Sequence, residues 1–578
     1  MKYLIALLAF LSFAAHATVT PSVSYTRTSG TAPLCLQVDA SASTSTATTL
    51  PFIALQYVHV FGDTGAGQWG YGANTAQSKN FATGPIAAHC YETAETYTIA
   101  TLICESATSC AAWQTQAITV TAADTTFSAT TICIANGSLP VAGSGGCPSG
   151  STARQGTGDW DADMTFALGN NCGGAACKRI LFKGGETFTA SAKVTLNVAG
   201  PGHIGSYGTG KATFTTGTAE INFFTFGSTL NDWRIVDVIF TSSAANSVLV
   251  ADQTGAATRV TFLRVDMTGI QAGLVASFTE FFMQDSTFGS AVSTDEDGHA
   301  YIGALTQSAL LGSSLSATDG VINHTVRIST ADRVVIANNT IVGPTGAGDE
   351  ALKIHAPTFT GANYTEKVVV AGNKITGIIG IEPGNPADER LRKIVVESNW
   401  LVNTDLGITA DEAAIRNNVF TGSVGTTFRP INIGPVVVTQ VPTNVLVENN
   451  SAYVSATPTT YNMIRMVDNT AATATIRNNL AYAPNVTSPV VLNNLCTVCG
   501  TVTVATNSSD AQAKNTNPYA GTPSVPIDFA ATVAGYADDG GTASYPATAS
   551  DFFNCSQTSG VRIGATVPRS LAVCRSAP

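Results

Sequence analysis

A short motif recurs six times between residues 334 and 479: a run of branched apolar residues leads into a residue pair whose second member is Asn. Successive motifs are 34, 26, 19, 32 and 29 residues apart. A strand and a corner repeated at intervals of about twenty to fifty residues indicate a solenoid. The recurring residues are Asn339, Asn373, Asn399, Asn418, Asn450 and Asn479.

Each motif provides one strand and one sharp turn, which predicts a parallel β-helix whose successive coils pair with one another. Asn suits the corner because it tolerates left-handed backbone geometry and carries a spare amide. Stacked amides can hydrogen-bond along the solenoid axis, as in other Asn ladders. Weaker markers upstream extend the predicted solenoid over residues 178–505, in about ten to twelve coils.

The composition favours an exported all-β protein. The formal net charge is −11 and only 12% of residues are charged, while Thr and Val are abundant. Basic patches interleaved with aromatic residues are missing, which argues against nucleic acid as a partner. Residues 1–17 have the pattern of a secretory signal, with basic Lys2, a short apolar core and the cleavage site Ala15-His16-Ala17. We expect a secreted protein, extracellular, surface-attached or periplasmic, without a membrane span in the mature chain.

All twelve Cys residues follow this signal segment, an even count that predicts disulfides in an oxidising compartment. Five pairs are close in sequence, and the most economical pairing leaves the remaining two residues for each other, although spacing alone does not prove it. The pairs are Cys104 with Cys110, Cys133 with Cys147, Cys172 with Cys177, Cys496 with Cys499, Cys555 with Cys574, and Cys35 with Cys90.

Residues 18–122 contain short alternating strands separated by turn residues, which predicts a β-sandwich. The segments Phe61-Gly62-Asp63 and His89-Cys90-Tyr91 resemble a PKD (polycystic kidney disease) domain, although His59-Val60 stands where that family has Trp-Asp. The resemblance implies a spacer or a contact module. We therefore interpret Phe61-Gly62-Asp63 as a structural turn.

Residues 123–177 are predicted to be a linker and N-terminal cap, and residues 506–578 a C-terminal cap segment. The strand beginning at Arg179 and the segment Gly200-Pro201-Gly202 resemble the first coil of the pectate-lyase-like superfamily. Val561-Arg562-Ile563-Gly564-Ala565 resembles the closing motif of the same proteins. The expected fold is thus all-β: a PKD-like β-sandwich followed by a right-handed parallel β-helix solenoid.

A polar region interrupts the otherwise uncharged surface around Arg327 and Lys353, which lie 26 residues apart and are each followed by Ile. Equal phase would stack these two cations on one face, about 4.8 Å apart along the axis. The same register sets His324 level with Glu350. His355 follows in the same strand, Glu382 lies in the next coil, and Asp297-Gly298-His299 in the preceding one.

Stacked like charges repel one another, so carboxylates or an acidic polysaccharide must offset them. In β-elimination, a cation neutralises a uronate carboxylate and a base removes the neighbouring proton. The superfamily resemblance implies Lys353 as the base, with a pKa lowered by Arg327 as carboxylate clamp. His324 and His355 are alternatives for either role. Further candidates are Glu350, Asp349, His299 and Glu382 for substrate binding, and Asp297, Glu296 and Glu350 as ligands of a Ca²⁺ cofactor.

Three alternatives stay open. The charges can simply pair across coils, in which case the protein is a non-catalytic glycan-binding protein, adhesin or scaffold. A glycoside hydrolase on the same fold is another class, because Asn403-Thr404-Asp405 matches a polygalacturonase motif. No Gly-His-Gly follows it, so Asp405 is interpreted as a turn residue. A trimeric, tailspike-like assembly is the third alternative, disfavoured by the sandwich and the export signal. The sequence leaves the sugar and the oligomeric state undetermined.

Overall fold

The computed structural model describes the residues 18–105, 109–219, 221–244, 247–253, 257–270, 272–274, 277–289, 302–317, 324–344, 349–356, 363–383, 389–422, 427–434, 440–458, 460–466, 472–494, 501–505 and 507. These residues form a β-sandwich and a parallel β-helix, which confirms the predicted all-β fold class. The helices among them are all too short or too polar to cross a membrane.

Three parallel sheets, formed by successive coils, make up the β-helix. Sheet 1 is the longest and begins at Thr131, well before the predicted start at residue 178. Its strands are Thr131–Asn136, Thr152–Gly156, Arg179–Lys183, Ala199–Tyr207, Asn231–Val236, Ala257–Leu263, Phe278–Gln284, Ile302–Leu311, His324–Ala337, Thr365–Ala371, Leu391–Glu397, Asp411–Arg416, Thr443–Glu448, Ala474–Arg477 and Val502–Ala505.

Sheet 2 follows sheet 1 after one corner of each coil. Its strands are Thr187–Thr189, Ala212–Thr215, Val238–Thr241, Asp266–Thr268, Thr287–Gly289, Ser314–Ser316, Thr340–Val342, Lys374–Thr376, Trp400–Val402, Val419–Gly422, Ser451–Val454 and Leu480–Tyr482. Alternate residues of these strands point inward and are buried, as a period of two requires.

Sheet 3 closes the coil. Its first part has the strands Val194–Leu196, Phe224–Phe226, Val248–Gln253 and Ala272–Leu274. Its second part starts from the first half of the long strand His324–Ala337, whose two halves pair with different strands of the next coil. It continues through Glu350–Ile354, Ile378–Ile381, Leu406–Ile408, Thr427–Phe428, Ile431–Ile433, Thr460–Met466 and Val490–Asn494.

The predicted Asn ladder is present at the corner between sheets 1 and 2. The Nδ2 of Asn373 donates to Asn399 Oδ1 at 3.0 Å, and Asn399 Nδ2 donates to Asn418 Oδ1 at 2.9 Å. Each amide also donates to a backbone carbonyl of the preceding coil, so it is satisfied while fully buried. The ladder continues without a break from Asn339 to Asn507.

The left-handed residue of the corner is not the ladder Asn but the residue before it. Asn338 has φ 57°, Ser398 has φ 57° and Asn417 has φ 56°. Gly372, with φ 66°, fills the equivalent position in its coil. The two properties attributed to Asn are therefore divided between neighbours: one residue makes the turn, and the next inserts its amide into the core.

A helix covers the first coils, inside the segment predicted to form the cap. It spans Trp160–Leu168, and the Asp159 carboxylate accepts from Ala162 N at 3.2 Å as its N-cap. Trp160 is fully buried, with its ring centroid 4.2 Å from that of Phe214. The helix thus shields from water the aromatic core that the first coils would otherwise expose.

The N-terminal domain is a β-sandwich, as predicted; its relationship to PKD domains stays a prediction. One sheet has the strands Ser29–Thr31, Gln114–Thr121, Thr96–Cys104, Gln56–Val60 and Phe81–Thr83. A second sheet has the strands Ser24–Tyr25, Leu34–Asp39 and Ile86–Tyr91. A third sheet pairs Val19–Thr20 with Thr44–Ser45. Short helices span Pro51–Ala54, Ala123–Phe127 and Ser128–Thr130.

The Phe61-Gly62-Asp63 segment has the structural role expected of it. Gly62 has φ 74°, and a Cβ there would lie 2.5 Å from Thr98 O. The Phe61 ring stacks on His89 with centroids 4.6 Å apart, and His89 Nε2 lies 3.1 Å from Asp63 Oδ2. The segment is therefore a packed turn inside the sandwich.

The sandwich packs lengthwise on the outer face of sheet 1. Phe52, Ile53 and Trp69 form one buried apolar cluster with sheet residues such as Val335 and Val395. Polar contacts flank this cluster: Lys79 Nζ lies 2.6 Å from Asp285 Oδ2, and Arg27 Nη2 lies 2.6 Å from Asp232 Oδ1. The two domains therefore share a core.

Four of the predicted disulfides are formed: Cys35–Cys90, Cys104–Cys110, Cys133–Cys147 and Cys172–Cys177. Cys496, Cys499, Cys555 and Cys574 lie outside the described residues, as do the predicted signal segment and most of the predicted C-terminal cap segment.

Candidate functional site

The candidate residues lie on the outer face of the second part of sheet 3. Among the described residues, the sandwich makes its contacts with sheet 1 and its corners. In the part of the chain that the structure describes, the outer face of sheet 3 is therefore free of contacts with the sandwich. This face carries charged side chains, whereas its inner face is apolar and fully buried at Leu352, Ile379 and Leu406.

The predicted register is confirmed. Arg327 pairs with Lys353, and His324 pairs with Glu350. In the next coils Lys353 pairs with Gly380, and Gly380 with Gly407. One outward column of sheet 3 therefore carries two cations followed by two glycines.

Carboxylates offset the stacked cations. Lys353 Nζ donates to Glu350 Oε1 at 2.8 Å and to Glu382 Oε1 at 3.1 Å. The second oxygen of Glu350 lies 3.0 Å from His324 Nδ1, an ion-pair distance without the alignment of a hydrogen bond. Lys353 and Glu350 are both buried, so this network holds its charges in a poorly solvated position.

The expectation that Arg327 lowers the pKa of Lys353 is wrong. Burial does oppose the charged amine, but Glu350 and Glu382 outweigh burial and raise the pKa of Lys353. The pKa of Glu350 is lowered: burial acts against this, and His324 and Lys353 overcome it. Lys353 is therefore a charged, fixed group at neutral pH and is poorly suited to accept a proton.

His355 has the properties that were expected of Lys353. Burial, followed by the nearby charges of Lys353 and Arg327, lowers the pKa of His355 to about 4. Its Nδ1 lies 3.8 Å from Glu389 Oε2, and its Nε2 is buried without a hydrogen-bond partner in the described structure. The imidazole of His355 is therefore unprotonated at neutral pH, while the same burial and neighbouring cations make it a weaker base than an ordinary His.

The two glycines of the column make a recess beside these groups. A Cβ at Gly380 would lie 2.2 Å from Glu350 Oε1 and 2.9 Å from Lys353 Nζ. At Gly407 the nearest atom to such a Cβ would be Glu382 Oε2, at 3.4 Å. The carboxylates and the amine thus lie over the two glycines, and at Gly380 a Cβ would clash with them.

A second polar group lies further along the same face. Asp405, interpreted above as a turn residue, is the residue directly before strand Leu406–Ile408, and its Oδ1 accepts from Arg429 N at 3.0 Å. Burial raises the pKa of Asp405, although the backbone of Arg429 and its charge act in the opposite direction. The outward column continues from Gly407 to Asn432 and then to Arg465.

The structure does not place every predicted residue. Asp349 lies directly before Glu350 and is partly buried. His299, Asp297 and Glu296 lie outside the described residues, so the predicted Ca²⁺ site stays a prediction. Within the described ranges, no group of three His, Cys, Asp or Glu side chains could hold a metal ion. Glu350, the remaining candidate ligand, is engaged by Lys353 and His324.

Arg429, Asn432 and Arg465 were not predicted as site residues. They lack a local motif. Only the pairings that run from Lys353 through Gly380 and Gly407 show that Asn432 and Arg465 share its column, and Arg429 lies three residues before Asn432. Counting coils forward from Lys353 would have been the available signal, but irregular coil lengths obscure it.

Comparisons with known proteins give similarities of fold only. No protein-family model matches the chain, and no curated protein matches it in sequence. A mannuronan C-5 epimerase A-module of Azotobacter vinelandii is 12% identical, covering 60% of this chain and 94% of its own, with a TM-score of 0.35. A family 28 exopolygalacturonase of Yersinia enterocolitica is 9% identical, covering 84% and 98%, with a TM-score of 0.35. PfbA, a surface adhesin of Streptococcus pneumoniae, is 12% identical, covering 53% and 87%, with a TM-score of 0.31.

Proposed function

We propose that the protein binds an acidic polysaccharide along the outer face of sheet 3 and cleaves it by β-elimination. In this proposal Arg327 neutralises the carboxylate of a uronate, which acidifies the neighbouring C–H bond. His355 removes that proton, and the electron pair left on carbon forms a double bond as the bond to the leaving glycosidic oxygen breaks. The leaving oxygen takes up a proton from water and departs as a hydroxyl group.

The observation that carries the proposal is the neutral His355 held beside Lys353 and Arg327. A base must be unprotonated before it reacts, and burial, followed by the charges of Lys353 and Arg327, lowers the pKa of this imidazole and keeps it in that state. When an anionic sugar binds, its charge offsets the cations, so protonation of His355 becomes easier as the proton leaves the substrate. The base and the cations therefore favour an acidic substrate over a neutral one.

Lys353, Glu350 and Glu382 have a positioning role in this proposal. Lys353 joins the two carboxylates, which lie on neighbouring coils. With Glu350 and Glu382 already paired, their negative charge repels an acidic polymer less strongly than free carboxylates would. The sequence analysis named Lys353 as the base, and we now propose His355 for that role. Arg327 keeps its proposed role as the carboxylate clamp.

Hydrolysis is the second candidate, and one observation favours it. The raised pKa of Asp405 makes this carboxyl a better proton donor near neutral pH than an ordinary Asp. Glu382 lies beside Gly407, two residues after Asp405, and offers a second carboxyl group. Two carboxyl groups with different environments are the requirement for glycoside hydrolysis.

Export to an oxidising compartment is part of the proposal. The four disulfides support it, because such bonds persist where thiols are not kept reduced. An extracellular location would also give the protein access to a polysaccharide. Retention on the surface and release are equally compatible with this proposal.

The test compares purified protein with a His355→Gln variant on alginate, pectate and glycosaminoglycans. Ultraviolet absorbance of the unsaturated uronate reports β-elimination, and reducing ends report any cleavage. We expect unsaturated product from the wild type and about a hundredfold less from His355→Gln. Lys183→Gln is the matched control, because Lys183 is 46% exposed in a distant coil.

The wild type could instead produce reducing ends without unsaturated product. If Asp405→Asn loses this activity and His355→Gln keeps it, the reaction is hydrolysis and not β-elimination. Neither signal on any polymer, with binding retained, would leave a non-catalytic glycan-binding protein. Circular dichroism of each variant distinguishes these outcomes from loss of folding.

A further inference from the structure

We propose that Arg429, Asn432 and Arg465 form a second anion-binding subsite, which holds a carboxylate or sulfate of a non-reacting sugar in the same polymer. This inference rests on the proposed function, because it takes the substrate to be a polyanion lying along sheet 3. It adds a specificity determinant outside the candidate catalytic group.

The geometry places two of the three subsite residues, Asn432 and Arg465, on the column that contains the first cations. The pairings run from Arg327 to Lys353, through Gly380 and Gly407, to Asn432 and Arg465. At about 4.8 Å for each pairing, Arg465 lies about 24 Å along the axis from Arg327. Gly380 and Gly407 add no side chain of their own between the two ends, but Glu350, Lys353 and Glu382 reach over them. An extended polymer that contacts both ends would therefore lie across these three side chains.

Arg429 and Arg465 give the subsite two positive charges. Within the described ranges neither Arg429 nor Arg465 has a carboxylate at ion-pair distance, whereas Lys353 has two. Burial, and then the charge of Arg429, lowers the pKa of Arg465. Asp405 is the neighbouring carboxyl, but it accepts from the backbone N of Arg429, and its own pKa is raised.

Polar atoms at this position also lack partners. Arg429 Nε and Asn432 Oδ1 are both buried and make no hydrogen bond in the described structure. A buried polar atom without a partner costs free energy, which a ligand can recover by supplying the missing bond. An oxyanion accepts from the guanidinium groups, and a sugar hydroxyl beside it donates to the Asn432 carbonyl oxygen.

The chemistry selects an anion on a sugar. Two guanidinium groups on neighbouring coils suit a planar carboxylate or a sulfate better than a hydroxyl, because the guanidinium fork donates two parallel hydrogen bonds. Arg429 lies three residues before Asn432, and Asn432 pairs with Arg465, so all three can contact one sugar unit. Carboxylate and sulfate share this chemistry, and the choice of polymer separates them.

The test measures binding in the His355→Gln background, so that cleavage plays no part in the result. Isothermal titration with polyuronate, with sulfated glycosaminoglycan and with a neutral glucan compares Arg465→Ala and Arg429→Ala with the parent variant. We expect each substitution to weaken binding of one anionic polymer about tenfold and to leave the neutral glucan unchanged. Arg465→Lys should recover part of the loss, since it keeps the charge but not the fork.

Arg259→Ala is the matched control, because Arg259 is 48% exposed on sheet 1 and its loss changes the net charge equally. Oligosaccharides too short to reach from Arg327 to Arg465 should bind Arg465→Ala and its parent alike. Equal loss in Arg259→Ala, or an unchanged affinity of Arg465→Ala for every long polyanion, would overturn the subsite. Absence of cleavage by the wild type would instead overturn the proposed reaction while leaving these binding results meaningful.

Discussion

Arg416 Nε lies 2.8 Å from Glu397 Oε2 on the neighbouring strand, and both side chains are almost fully buried beneath the N-terminal sandwich. The sandwich completes this pair: Arg416 Nη1 donates to Ile53 O at 2.9 Å, and Thr83 Oγ1 donates to Glu397 Oε1 at 2.8 Å. The covered face of the β-helix thus includes charges that depend on the second domain for their hydrogen bonds. The sandwich is an integral part of the β-helix rather than a tethered spacer.

The first prediction concerns this pair. Arg416→Met should lower the free energy of unfolding by about 3–5 kcal/mol, because Glu397 would be left buried without its counter-charge. Urea denaturation followed by intrinsic fluorescence measures the change. Arg259→Ala, which removes a more exposed ion pair with Glu280, should cost less than about 1 kcal/mol. Equal effects of the two substitutions would contradict the buried role of Arg416.

The second prediction concerns the pairing of Lys353. Lys353→Met should destabilise the protein because Glu350 and Glu382 would then face each other without a cation, and adding Glu350→Gln should recover part of the loss. The lowered pKa of Glu350 contributes stability above its usual range near 4.5, which is lost as the pH falls through the folded value. The raised pKa of Lys353 contributes stability below 10.5, which is lost as the pH rises through the folded value.

Thermal unfolding measured as a function of pH tests the range between the titration of Glu350 and that of Lys353. The wild type should be more stable than Lys353→Met between these two limits, and the difference should shrink at both extremes. A difference between the two proteins that does not change with pH would contradict the electrostatic origin of the effect.

The third prediction concerns His355. As the proposed base, it must be neutral, and its pKa is lowered to about 4. We expect kcat/KM to be constant near neutral pH and to fall as the pH decreases through about 4, since protonation removes the base. Steady-state kinetics with a polyuronate provide the measurement. An acid limb centred near 6.5 would contradict the lowered pKa, and an unchanged profile in His355→Gln would exclude the role.

The fourth prediction concerns the Asn ladder. Asn399→Ala should lower the free energy of unfolding by about 2–4 kcal/mol, because Asn373 and Val370 in the preceding coil and Asn418 in the next coil lose hydrogen bonds to the Asn399 amide. Asn507→Ala is the control at the end of the ladder, where the side chain is only partly buried and only one neighbouring coil is affected. Equal losses at both positions would contradict the cooperative ladder.

Much of the fold could be predicted because its signals are local and repeated. The Asn residues mark the coil corner, and the shared phase of Arg327 and Lys353 gives the register of sheet 3. The chemistry of Lys353 could not be predicted in the same way. The pKa of Lys353 depends on which charged groups lie nearest to it. These are Glu350 in its own strand and Glu382 in the next coil, and both raise the pKa.

The docking of the sandwich was also beyond sequence analysis. The αL residue Gly312 lies against the Trp69 ring, where a Cβ would be 2.3 Å from the indole. Nothing in the local pattern relates these two positions, because the contact joins separate domains. Asn432 and Arg465 were missed for a similar reason: coils of unequal length hide the column that they share with Lys353 from inspection of the sequence.

The unequal coil lengths have a consequence for the polymers that the outer face of sheet 3 can bind. Ladder steps range from 19 residues at Asn399 to 34 at Asn339, yet the amide spacing is the same. In the shortest coil only two residues separate strand Leu406–Ile408 from Asp411–Arg416, whereas nine separate Ile433 from Thr443. The connection from sheet 3 back to sheet 1 is therefore shorter next to Gly407 than after Ile433. We expect branches or acetyl groups on a bound polymer to be tolerated next to this short connection and rejected elsewhere. Residues inserted into the connection should narrow the range of polymers that bind.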